Sequence, residues 1–168
     1  DKLAVVDIAA SLSVALARRG AATLSKSILL DLQTSLTTLP NDNDKRAVLG
    51  MLATAYAKIG SLSEAESILK PYEISAKQPM YLATVEYLAK RGEVERAIAT
   101  LKQLRQPRHY VAAMHHIAKA QAKLANTSGA HATLKRAMNA VTDIERPFAL
   151  NIALTQIAEA WIYMANFA

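Results

Sequence analysis

Apolar residues return every three or four positions along nearly the whole chain, the period of an amphipathic helix. Val111, Met114, Ile117, Ala118, Ala122 and Leu124 follow it in one stretch, with Gln121 in step. Ala130, Leu134, Ala137, Met138 and Val141 follow it in the next. No stretch alternates with a period of two, and neither Asn-Gly nor Asp-Gly occurs. The pattern therefore predicts helices and almost no strand. The helical runs are broken at Gly20, Gly60 and Gly92, and the same block returns at Ala125 and Ala165. Read backwards from those points the chain repeats itself: S-V-A-L-A-R-R-G, A-T-A-Y-A-K-I-G, V-E-Y-L-A-K-R-G, A-K-A-Q-A-K-L-A and A-E-A-W-I-Y-M-A, at spacings of 40, 32, 33 and 40 residues. Two helices per unit at such a period predict an all-α fold built from stacked helical hairpins.

The expected units are 2–39, 44–74, 78–105, 107–143 and 147–166, the last a single helix. The helices expected within them are 2–19 and 21–39, 44–59 and 61–74, 78–91 and 93–105, and 107–125 and 128–143. Pro40-Asn41-Asp42-Asn43 breaks the chain, with Asp44 placed to cap the next helix. Ser61 and Ser63 precede Glu64 and Glu66, a hydroxyl acceptor followed by first-turn acids. Pro79, Pro107 and Pro147 are expected to open helices, where a missing N–H leaves no helical acceptor unpaired. The two spacings of 40 predict longer second helices or looser loops at 39–44 and 143–147, and so an irregular superhelix.

These blocks resemble tetratricopeptide repeats. The closest run is Leu52-Ala53-Thr54-Ala55-Tyr56-Ala57-Lys58-Ile59-Gly60, followed by Ala65 and Leu69. The family places a small residue seven before the turn, where Ser13, Ala53, Val85, Ala118 and Ala158 stand. It places another five after the turn, matched by Ser25, Ala65, Ala97 and Ala130, and a large apolar residue nine after, matched by Leu29, Leu69, Leu101 and Leu134. Tyr56 and Trp161 fit the aromatic position four before the turn, Leu16 and Leu88 are tolerated there, and Gln121 departs from it. The resemblance implies a single domain over 1–168, a right-handed α-solenoid of about four helix-turn-helix repeats plus a terminal helix, with first helices lining a concave groove. It implies a mode of binding rather than a reaction. Helix pairs approach this closely only where side chains are small. The chain begins at Asp1 rather than Met, which leaves open a processed form or a fragment of a longer array.

Composition narrows the functional classes. Hydrophobic residues make up 52% of the chain and aromatic ones 5%, so Ala, Leu and Ile build the core. No cysteine is present, which excludes disulfides and thiolate metal sites. No run of 18 uncharged apolar residues occurs, so no membrane span is expected. Leu3 to Ala17 is apolar but contains Asp7 and lacks a basic start, reading as a core helix rather than a signal peptide. A cytoplasmic location is favoured. The net charge of +6 is uneven: residues 90–136 hold ten Lys/Arg against Glu93 and Glu95, so they carry +8 and the remainder −2.

Two residues before successive turns stand Arg18, Lys58, Lys90 and Lys123, a basic ladder on the expected groove side. Lys119 lies one turn before Lys123, and His115 and His116 two turns before it. This arrangement suits an acidic peptide or a carboxylate terminus, although a cation in a last turn also complements the helix dipole. The Asn-based carboxylate clamp of some tetratricopeptide proteins is not matched, since Thr54 and Glu86 occupy its place. Arg105-Gln106-Pro107-Arg108-His109 with Tyr110 suggests phosphate or RNA contact as the alternative. Pentatricopeptide repeats also resemble the second and third units, but the wandering spacing departs from their one-base-per-repeat array. His109, His115, His116 and His131 are the only imidazoles and form no metal-ligand spacing. No nucleophile elbow or Gly-rich phosphate loop is present. The expectation is a non-catalytic protein-binding module with no cofactor and no metal, or else an accessory domain of a longer protein. The last helix is apolar on all sides through Trp161, Ile162, Tyr163, Met164 and Phe167, which points to chain continuation, to a homodimer through that helix, or to its folding into a neighbouring groove.

Overall fold

The computed structural model describes residues 2–35 and 42–166. Among them are nine α-helices and no strand: α1 Lys2–Arg18, α2 Ala22–Ser35, α3 Asp42–Lys58, α4 Leu62–Leu69, α5 Ile74–Lys90, α6 Val94–Leu101, α7 Pro107–Lys123, α8 Thr127–Val141 and α9 Pro147–Ala165. The expected break at Pro40-Asn41 lies outside the described residues. The chain divides into two compact units, 1–83 and 84–168, and the division falls inside α5.

In the first unit α1 packs on α2 and α3, and α3 packs on α4. Its core joins Val6, Ala10, Val14 and Leu29 to Val48, Leu52, Tyr56, Ala65, Leu69 and Met80. In the second unit α7 is central, packed on α6, α8 and α9, with α8 also against α9. Ala118, Ala122, Ala130, Leu134, Ala160 and Met164 form a cluster there. The paired small positions are the most deeply buried: Ser13 and Ser25, Ala53 and Ala65, Val85 and Ala97, and Ala118 and Ala130 are all 0% exposed. In the first hairpin the two helices touch through hydrogen bonds. Ser13 Oγ donates to the Ser25 carbonyl at 2.7 Å and lies 2.8 Å from Ser25 Oγ. Gln121, the departure from the aromatic position, is buried and accepts from Thr133 Oγ1 at 2.8 Å. A buried polar pair thus does there what an apolar contact does elsewhere.

Four turns share one hydrogen-bond plan. Gly20, Gly60 and Gly92 have φ of +89°, +85° and +78°, and Ala125 has +59°. The following N–H reaches back over the turn: Ala21 to Leu16 O at 3.0 Å, Ser61 to Tyr56 O at 2.9 Å, Glu93 to Leu88 O at 2.9 Å and Asn126 to Gln121 O at 2.9 Å. This is the Schellman closure, which needs a left-handed residue and so favours glycine. Ala125 adopts that conformation without glycine's freedom. The fifth block does not close in this way, because α9 continues through Ala165 and Asn166 remains right-handed.

Some boundaries differ from expectation. The helix expected at 61–74 ends at Leu69, and the one expected at 93–105 ends at Leu101. α5 starts at Ile74, four residues before the expected opening, so Pro79 lies inside it rather than at its start. Gln78 Nε2 donates to the Ile74 carbonyl at 3.1 Å beside that proline, adding a side-chain bond in a turn where the ring removes a backbone one. Pro107 and Pro147 do stand at helix starts. Glu93 stands at the N-cap position of α6, though its carboxylate makes no cap and accepts from Arg91 and Arg96 instead, and Glu95 lies in the first turn, as the dipole favours. Ser61 does precede α4, but its hydroxyl makes no cap; Oγ is buried without a partner. The side-chain cap appears instead at Asn126, whose Oδ1 accepts from Gly129 N at 2.9 Å. A Cβ at residue 129 would come within 2.6 Å of that amide, which accounts for a glycine in the first turn of α8.

The two N-caps make a matched test by urea unfolding. Asn126→Ala should cost ~1 kcal/mol through the lost cap. Ser61→Ala, which removes an unpaired buried hydroxyl, should cost nothing or stabilise.

Candidate functional site

The second unit encloses α7 beyond its first turn so fully that little of that stretch remains outside. From Val111 to Ala122 every residue is buried except His116 and Lys119, which are half-buried; Lys123 follows, exposed, at the helix end. These three positions, at spacings of three and four, form a single outward stripe. The enclosure follows from the small residues at 112, 113, 118, 120 and 122, which let three helices close around α7.

The stripe is flanked by α5 and α9. Lys90 Nζ lies 2.5 Å from Glu86 Oε1, one turn back on α5, a pairing at i,i+4. Lys119 Nζ sits 4.7 Å from the centre of the Tyr163 ring on α9, a cation–π contact. Burial pushes His116 down to about 4; the Glu86 carboxylate opposes that shift, while His115, Lys90 and Lys119 add to it. His116 is therefore neutral at physiological pH. His115 does not lie on this stripe. It is 7% exposed and its Nδ1 lies 2.6 Å from the Gln156 carbonyl of α9. A carbonyl only accepts, so Nδ1 carries the proton and His115 pins α7 to α9. The two imidazoles meet edge to face at 5.1 Å.

The structure thus brings Lys90, His116, Lys119 and Lys123 onto one side of the second unit, with Glu86 and Tyr163 among them. Arg18 and Lys58 end α1 and α3 in the first unit, both exposed. One turn before Lys58, Thr54 folds its hydroxyl back to the Gly50 carbonyl at 2.7 Å, so the corresponding stripe there holds one cation. Of the residues singled out on α9, Tyr163 belongs to this site, and Met164 is buried in the core. Ile162 is 67% exposed, Trp161 is 37% exposed against the His131 ring, and Phe167 lies outside the described residues. Glu86 was readable as a partner for Lys90 from spacing alone. Tyr163 was not, because its contact with Lys119 joins different positions of two neighbouring repeats.

An open cleft of about 330 Å³ lies elsewhere in this unit, lined by Arg108 and Arg146 together with Asp143 and Glu145. Its two acids offset its two cations, so it shows no preference for an anion. Among the described residues no group of three His, Asp or Glu is placed to hold a metal ion, and no helix is long and apolar enough to cross a membrane. Comparison with protein-family models, with curated proteins and with solved structures finds no match. The resemblance to tetratricopeptide repeats rests on the sequence pattern alone.

The depressed His116 has a consequence for stability. An unfolded histidine titrates near 6.5 and the folded one near 4, so between those values the unfolded chain binds the extra proton. Stability is complete above the higher value and declines as pH falls toward the lower one. His109, lowered by burial and then by Arg108, acts in the same direction. His116→Gln should flatten part of this slope in urea unfolding measured across that window, and an unchanged slope would count against the neutral, buried imidazole.

Proposed function

We propose that the chain is a non-catalytic, tetratricopeptide-like interaction module. In this reading its hairpins stack as a right-handed α-solenoid, and the α7 stripe receives an extended or helical segment of an acidic protein partner. The observation that carries it is the composition of that stripe. From Val111 to Lys123 the helix leaves three positions outside, and two are lysines while the third is a histidine. Flanking Lys90 is tied to Glu86, which tempers the basic ladder without cancelling it. Lys119 is already desolvated on one side by Tyr163, so ordering it against a carboxylate costs less than ordering a free lysine. Tyr163 supplies an apolar wall beside the charge, the mixture that peptide grooves use for affinity and selectivity.

The rest of the 90–136 excess lies off this stripe. Lys102, Arg105, Lys135 and Arg136 are exposed on other elements and Arg108 in the first turn of α7, and Arg136 donates to the Tyr110 hydroxyl at 2.9 Å. These residues support the alternative reading, a nucleic acid or other polyanion.

Titration of a labelled Glu- and Leu-containing peptide separates the two. The chain should bind it, and Lys119→Glu should weaken binding by at least ~10-fold with the helical circular dichroism unchanged, the size expected for breaking one charged pair. If the peptide fails to bind while random-sequence RNA binds with a steep loss of affinity in salt, the groove reading is wrong and the other basic residues carry the function.

A further inference from the structure

The hairpin plan gives each first helix a face that its second helix covers. On α7 that face is Met114, Ala118, Gln121 and Ala122, which are 0%, 0%, 6% and 1% exposed. The same positions on α9, forty residues on, are Leu154, Ala158, Trp161 and Ile162. Leu154 is 40% exposed, Trp161 37% and Ile162 67%, and Ala158 is exposed as well. Ser13, Ala53, Val85 and Ala118 are wholly buried at the position that Ala158 leaves open. Among the described residues no helix covers this face. It is also nearly uncharged: Glu159 is the single charged residue of α9, in a chain 20% charged. A solvent-facing helix of this kind marks an interaction surface.

We infer that this face pairs with the same face of a second copy of the chain. The occupant is indicated by α9 itself. Each second helix presents a small residue followed four later by a large aliphatic one: Ser25 and Leu29, Ala65 and Leu69, Ala97 and Leu101, Ala130 and Leu134. α9 carries the same pair at Ala158 and Ile162 on the face that lies open. It can therefore serve as first helix to its mate and as second helix in return. In an antiparallel pair Ala158 meets Ala158 at the two-fold axis, and Leu154 of each copy lies against Ile162 of the other. This repeats the level at which Met114 stands to Leu134 in the α7–α8 hairpin. The arrangement is self-complementary, as a two-fold interface requires. The lone Glu159 charge keeps like-charge repulsion small along the contact. The face, widened by exposed Met138 on α8 two turns from His131, offers on the order of 500 Å² per copy, so that the pair reaches the lower bound for a specific interface. The inference is independent of the peptide groove.

The chain has no cysteine, which makes a clean test available. Sedimentation equilibrium of the full chain at micromolar concentration should return twice the 18.2 kDa monomer mass, and Ile162→Asp should return the monomer with helical content unchanged. Under mild oxidation Ala158→Cys should cross-link most of the protein into a covalent dimer. Phe148→Cys, exposed in the first turn of α9 and about 15 Å along the helix from Ala158, should not, because an antiparallel pair centred on Ala158 holds the two copies of residue 148 far apart. A wild-type chain that stays monomeric, a dimer that survives Ile162→Asp, or a residue-158 cysteine that cross-links no faster than one at residue 148 would each overturn the pairing.

Discussion

The approach of two helices at a pair of small residues governs this structure. Where Ser13 meets Ser25, or Ala118 is buried beside Ala130, the backbones come close enough that any larger side chain would push them apart, at a cost of ~1–3 kcal/mol. The other features of a hairpin serve to hold that contact. The turn must reverse the chain within a few residues, so a left-handed residue closes each Schellman turn. The large apolar residues at Leu29, Leu69, Leu101 and Leu134 then fall one turn further along, at most 4% exposed. The core is made of many small contacts rather than a few aromatic ones, consistent with the low ring content of the chain.

The same constraint shapes the surface. Helices that approach closely enclose the one between them, and beyond its first turn α7 is left with a three-residue stripe on which to carry any function. Basic residues there are costly to leave unbalanced near a packed interior, and the structure distributes that cost in three ways: Lys90 pairs with Glu86, Lys119 lies on Tyr163, and His116 gives up its proton. Lys123 alone, at the solvated helix end, is held by the dipole rather than by a side chain. On α9 the constraint is present without its usual partner, since Ala158 has the small side chain for a close approach but is exposed.

Much of the fold was legible because a helical period and a turn signal are local. The places of Gly20, Gly60, Gly92 and Ala125 marked the turns, and the small positions around them marked the buried contacts. Less legible were features set by competition between nearby alternatives. Pro79 reads as a helix start, yet the apolar pattern from Ile74 onward and the Gln78 side chain carry α5 through it. Ser61 reads as a cap, but its hydroxyl is turned into the core, whereas Asn126 caps because Gly129 leaves room. At the site, the cations Lys90 and Lys123 near the ends of α5 and α7 were marked by the repeat, and the Glu86–Lys90 pair could have been read from i,i+4 spacing. The inward rotation of His115 and the stacking of Lys119 on Tyr163 depend on how α7 and α9 are offset, which no single helix encodes.

The close approach of paired helices can be measured covalently in the first hairpin. With Ser13 Oγ and Ser25 Oγ only 2.8 Å apart, cysteines at both positions stand within reach of a disulfide. Ser13→Cys/Ser25→Cys, oxidised under native conditions and then denatured, should show no free thiol, run as a monomer and unfold with a gain of about 2–3 kcal/mol over its reduced form. Two free thiols in the denatured chain, or cross-linking only between molecules, would contradict the register in which the two helices meet.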